Sequence, residues 1–152
     1  MVAIPDLSPA KLRLFVAYSR FEFALKEAGY ILPDRRRIAH ADWRSFANEE
    51  CLKDVLQVAA ADVDVREMIA EPPKVQASDD GKCWHWEETM EKPIQSLGAF
   101  FVATKRVRDN LFHGGKHGED PRDDVLCRAA WAVLELCLKQ HQAVRSMFEG
   151  KY

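Results

Sequence analysis

Glycine and proline divide the apolar positions of the chain into four long stretches. In the first, Leu14, Tyr18, Phe21, Leu25 and Ala28 recur at alternating steps of four and three, which is one face of a helix. Ser8 before Pro9 predicts the start. The serine hydroxyl caps the free amides, and proline sits where no amide hydrogen is needed. Gly29 and Pro33 end it. The second stretch, 43–69, follows Asp42 as a cap and contains neither Gly nor Pro. Its apolar residues are spread around the helix, so only length and composition predict one there. Pro72-Pro73 closes it. In KVQASDDGKCWHW, Val75 and Ala77 precede Asp79-Asp80-Gly81, and Trp84 and Trp86 follow in alternation, the pattern of a hairpin.

A third helix is predicted from near Pro93 to His113. A fourth begins at Asp120-Pro121-Arg122-Asp123, with a cap, a proline at the first position and an acid facing the helix dipole. Its inner face is Leu126, Ala130, Val133, Cys137, Val144 and Phe148. The connection of roughly six residues makes helices three and four antiparallel neighbours. The expected fold is all-α: a single domain over 1–152, an antiparallel four-helix up-and-down bundle with a small β-hairpin inserted between helices two and three.

Composition narrows the class. The chain has 152 residues, is 47% apolar and 30% charged, and carries a net charge of −2. That balance argues against a protein that coats nucleic acid generically, but leaves room for a local basic site. Cys51, Cys83, Cys127 and Cys137 form no Cys-x-x-Cys pair and read as free thiols. The first residues, MVAIPDLSPAKLR, lack the apolar core of a signal peptide, and no apolar run approaches the ~20 residues of a membrane span. The expectation is a cytoplasmic protein. Neither a metal nor a cofactor is expected. His113, His117, Glu119 and Asp120 match no strong ligand spacing, and Cys83-x-His85 is too sparse for zinc.

One residue breaks the pattern. On a helical wheel at about 100° per residue, Arg108 falls inside the apolar stripe of helix three, in a heptad where leucine would fit. A buried guanidinium needs an acid, an anionic ligand or exposure at the bundle end. An arginine near a helix end can also snorkel. His113 lies about 140° away, so the two meet only through a turn at Gly114-Gly115 or across a symmetric dimer. Asp109, four residues before His113, and Asn110, three before it, are placed to orient the imidazole. Lys105, Arg106 and Lys116 make the segment positive, as a phosphate-binding patch or an ordinary helix C-terminus would. The middle of the helix is apolar nearly all round at Phe100, Phe101, Val102 and Ala103, which suits burial by a second subunit.

Arg108-Asp-Asn-Leu-Phe-His113 resembles the R-x4-6-H motif of the HEPN superfamily, small α-helical domains that include metal-independent ribonucleases. The resemblance implies a homodimer with RNA as substrate. In it His113 moves protons, Arg108 holds the phosphate, and Asp109 or Asn110 orients them. The 2′-hydroxyl would attack the adjacent phosphorus, leaving a 2′,3′-cyclic phosphate. It also suggests a toxin, defence or stress setting with an antitoxin or regulatory protein. Gly115 stands where some relatives carry a modified tyrosine, so that form of control is not expected. Arg35-Arg36-Arg37-Ile38-Ala39-His40 satisfies the same spacing, but sits in a charged, loop-like segment and reads as chance. The alternative is a non-catalytic HEPN-like module that binds nucleotide, RNA or protein. Arg108 paired to an internal acid, with His113 in solvent, would favour it.

Overall fold

Ser8 begins α1 (Pro9–Glu27) as its sequence predicts: the hydroxyl oxygen accepts from the Lys11 amide at 3.3 Å. The structure, a computed structural model, describes residues 6–113 and 120–151. After α1 come β1 (Ile31–Pro33), β2 (Ala39–Ala41), α2 (Trp43–Ala47), a 3-10 turn (Glu50–Leu52), α3 (Val55–Ala59), α4 (Val63–Ala70), β3 (Val75–Ala77) and β4 (His85–Glu87). Then follow α5 (Leu97–His113), α6 (Pro121–Gln140) and α7 (Gln142–Glu149). The described chain is mostly helical with two small antiparallel hairpins.

Three long helices form the centre. Leu14, Phe21 and Leu25 of α1, Phe100 and Val107 of α5, and Leu126, Ala130 and Val133 of α6 are buried together. Contacts at both ends fix their directions. Ser8 Oγ donates to Asp124 Oδ1 at 2.6 Å, and Tyr30 Oη lies 2.9 Å from His141 Nε2. The same ends of α1 and α6 therefore coincide, and the two run parallel. Phe15 stacks on Phe112 and Tyr18 lies under Arg108, so α5 runs antiparallel to α1.

Among the described residues the four expected long helices become three long and four short ones. The 43–69 stretch is broken into α2, the 3-10 turn, α3 and α4. Its buried residues (Phe46, Leu52, Val55, Ala59, Val65, Met68) never kept one helical period, because they lie on separate pieces. Asp42 and Asp62 draw their carboxylates back onto the amides of Ser45 and of Asp64 and Val65, restarting the helix each time. The third helix starts at Leu97 rather than Pro93, with Ser96 Oγ accepting from the Ala99 amide. The hairpin at 75–87 is present, with Val75 paired to Glu87 and Ala77 to His85.

A second hairpin was not expected. Asp34 accepts from the amides of Arg36 and Ile38 and contacts His40 Nε2 at 3.1 Å. Arg35, Arg36 and Arg37 are the exposed turn of that hairpin, and His40 faces an acid rather than an arginine.

The fourth helix is interrupted at His141. Its Nδ1 accepts from the Val144 amide at 3.3 Å and caps α7, which folds back onto α1. Arg20 of α1 donates through Nε to the Phe148 carbonyl at 2.8 Å, closing the far end of α7. Gly150, at φ 75°, supplies the left-handed turn that ends it. Val144 is buried and Phe148 is half-buried, so the inward pattern of helix four persists across the break.

His141→Ala removes this cap and should lower stability by about 1 kcal/mol in urea denaturation, while His141→Asn, itself a good cap, restores most of the loss. Equal midpoints for wild type and the alanine variant would refute the capping role. Glu149 is held down to about 2, first by Lys151 and then by Arg145. Its stabilising effect is therefore present above the ordinary carboxylate value and is lost as pH falls through about 2. A carboxyl-resolved NMR titration at low salt should show that midpoint, and a midpoint near 4.5 would mean the ion pairs do not persist in solution.

Candidate nucleic-acid interface

The last three turns of α5 carry the motif residues, and helical geometry sorts them onto two sides. Lys105, Arg108 and Asp109 lie toward α1. The Arg108 guanidinium carbon stands 4.8 Å from the centre of the Tyr18 ring, and its Nη1 is 3.0 Å from Asp109 Oδ1. The other oxygen of Asp109 takes Lys105 Nζ at 2.6 Å. One carboxylate thus serves two cations. Arg108 is 27% exposed and its Nε is enclosed without a hydrogen-bond partner among the described residues. It sits at the border of the apolar stripe, whose centre is Phe100, Thr104 and Val107. The stem is buried, the head reaches the edge, and the ring of Tyr18 compensates part of the desolvation.

Tyr18 is a stable platform. Burial pushes its phenol above the ordinary tyrosine value; Glu22 adds to this and Arg108 opposes it. It therefore stays a neutral ring. Trp43 stacks on Tyr18 at 5.2 Å and donates through Nε1 to Glu22 Oε1 at 3.3 Å. Glu22 thus helps hold Trp43 against Tyr18.

The other side has a different task. Asn110 Nδ2 donates to the Lys74 carbonyl at 2.8 Å, joining α5 to the start of β3. Asn110 is thus committed to the hairpin rather than to His113. Arg106 is half-buried, with Nη1 enclosed and without a hydrogen-bond partner among the described residues. His113 is exposed, and its ring lies 6.3 Å from that of Phe112. Asp109 does not orient it, because both carboxylate oxygens are taken by Lys105 and Arg108. Lys116, together with Gly114, Gly115, His117 and Glu119, lies outside the described residues.

Beside Arg108 runs an exposed apolar strip. Phe112 is 67% exposed, and Leu12, Phe15 and Val16 of α1 are also exposed. Phe15 stacks on Phe112 at 6.0 Å, so the strip is continuous from α1 to the last turn of α5. The signal for it was present: Leu12, Phe15 and Val16 form a second apolar ridge on α1, outside the 14-18-21-25 face.

No helix of the described residues is long and apolar enough to cross a membrane, and no group of His, Cys, Asp and Glu among them could hold a metal ion. Trp84 is half exposed and meets Trp86 edge-on at 5.4 Å. Arg108→Leu should leave stability within about 1 kcal/mol of wild type, because the gained apolar contact offsets the lost ion pair and ring contact. Thermal unfolding checks this, and a loss above about 3 kcal/mol would make Arg108 a structural residue. Comparison with known proteins finds no matching family model, curated protein or solved structure.

Proposed function

We propose that the chain is a HEPN-like, metal-independent endoribonuclease whose site is completed by a second copy. The observation that carries this reading is a guanidinium held at the surface by Tyr18 and Asp109, next to an exposed apolar strip that leads to His113. Leu12, Phe15, Val16 and Phe112 suit contact with the same strip of another copy, around a two-fold axis. Such contact would bring two Arg108–His113 pairs toward one cleft, which a single helix does not do. Arg108 would then bind the scissile phosphate, and His113 would move the 2′-hydroxyl or 5′-oxygen proton. The role of Asp109 is to position Arg108. Arg106 and Lys116 would contribute charge toward flanking phosphates. An antitoxin or other regulatory protein, and a toxin, defence or stress setting, belong to this reading through the family alone. So does a bundle in which the short helices jointly take the place of one long one.

A second reading has a specific observation behind it. Arg108 is paired with Asp109 while His113 is in solvent, the arrangement expected of a non-catalytic module that binds RNA, nucleotide or protein. The two readings separate on one experiment. Under the first, wild type cleaves single-stranded RNA in EDTA, Arg108→Ala and His113→Ala each reduce the rate by at least about 100-fold, and Phe112→Asp dissociates the dimer with the same loss. Binding without cleavage would select the second, and equal cleavage by all four proteins would defeat the first.

A further inference from the structure

A groove of about 600 Å³ lies between α1, α2 and α5, one to two turns of α5 away from Arg108. Its floor is apolar: Trp43, Leu97, Phe101 and the half-exposed Val102. Its rim carries Arg44 and Lys105, and no carboxylate of the described residues lines it. In a protein of net charge −2 that is a local excess of positive charge. The cleft between the 75–87 hairpin and α6 is the contrast, since Glu71, Glu88 and Asp120 line it beside Lys74 and Arg122. Lys105 shares Asp109 with Arg108, but the Arg44 side chain makes no ion pair among the described residues. The nearby Asp42 carboxylate is occupied by the amide and hydroxyl of Ser45.

We infer that this groove receives one nucleotide of single-stranded RNA, base inward against Trp43 and Val102, phosphate outward toward Arg44 and Lys105. The volume falls in the range of small-ligand sites, about 300–1,000 Å³. An apolar slot with a cationic rim suits a flat ring that carries an anion. Two rim groups favour a base over an aliphatic acid. Asn48 Nδ2 donates to the Arg44 carbonyl, which leaves Oδ1 as an acceptor. Ser96 Oγ accepts from the Ala99 amide, which leaves its hydroxyl proton to donate. A base edge uses both; a fatty-acid chain uses neither. Lys105 on the rim shares Asp109 with Arg108, so a strand seated in the groove would carry its next phosphate toward the guanidinium. This inference rests on the reading of the chain as an RNA-binding protein, but not on cleavage.

The test uses a short 2′-O-methyl RNA, which lacks the nucleophilic hydroxyl, and the same strand with one abasic position. The full strand should shift the backbone amides of Gly98 and Val102, and the abasic strand should bind at least about tenfold more weakly. Arg44→Ala should weaken binding by about tenfold and flatten the salt dependence by roughly 0.7 in log–log slope. Val102→Trp fills the groove and should remove the base-dependent part of the affinity. Val102→Ala, a milder change at an exposed position, should weaken it about threefold and guards against misfolding of the larger variant. Equal binding of the two strands would overturn the inference, and so would decanoate shifting the Gly98 and Val102 amides while the RNA leaves them unmoved. A parallel cleavage assay in EDTA separates the ideas. RNA bound in the groove without cleavage sinks the ribonuclease reading alone, and cleavage with all groove variants like wild type sinks this one alone.

Discussion

Phe21 is the residue on which the arrangement of helices depends. It is fully buried in α1, and its ring meets Trp43 at 5.1 Å, Phe46 at 5.6 Å and Phe148 at 6.2 Å. Those contacts attach α2 and α7 to α1. Trp43 and Phe46 in turn reach Phe101 of α5 at 5.0 and 5.9 Å. Each aromatic pair contributes about 0.5–1.5 kcal/mol beyond the area it buries. The same cluster positions the candidate site, because Trp43 stacks on Tyr18 and Tyr18 carries Arg108. Core and surface chemistry are thus linked through three rings, Phe21, Trp43 and Tyr18.

Much of the fold was legible where side-chain period and local caps agree. The 14-18-21-25 face of α1 is buried as its spacing predicts, and Ser8 and Asp120 cap the helices they precede. The 75–87 hairpin follows from alternation around a turn. What was not legible depends on contacts distant in sequence. His141 ends α6 with neither Gly nor Pro at hand, because Tyr30 receives its ring and the Val144 amide needs a cap. The β1–β2 hairpin has no strong alternation and is held by one carboxylate, Asp34. The parallel course of α1 and α6 is set by two side-chain bonds at their ends, which no periodicity encodes.

The candidate site divides in the same way. The wheel put Arg108 inside the apolar stripe, whereas the structure holds it at the border, 27% exposed, and the wheel could not say that Tyr18 would face it. It also assigned Asp109 and Asn110 to His113 by proximity along the helix. Asp109 instead neutralises its two neighbouring cations, and Asn110 ties α5 to β3. Spacing along a helix states which partners are within reach, and tertiary contacts decide which partner is chosen.

The shared carboxylate has a consequence for what α5 can bind. Any anion approaching Arg108 or Lys105 competes with Asp109, which is covalently present and already in contact. A lone small anion offers one charge and loses its own hydration, so it gains little by the exchange. A polymer that brings several negative groups at once can occupy Arg108, Lys105 and Arg44 together and compensate for displacing the acid. Asp109 therefore shields both cations: an anion has to displace a carboxylate already in contact before it reaches either of them.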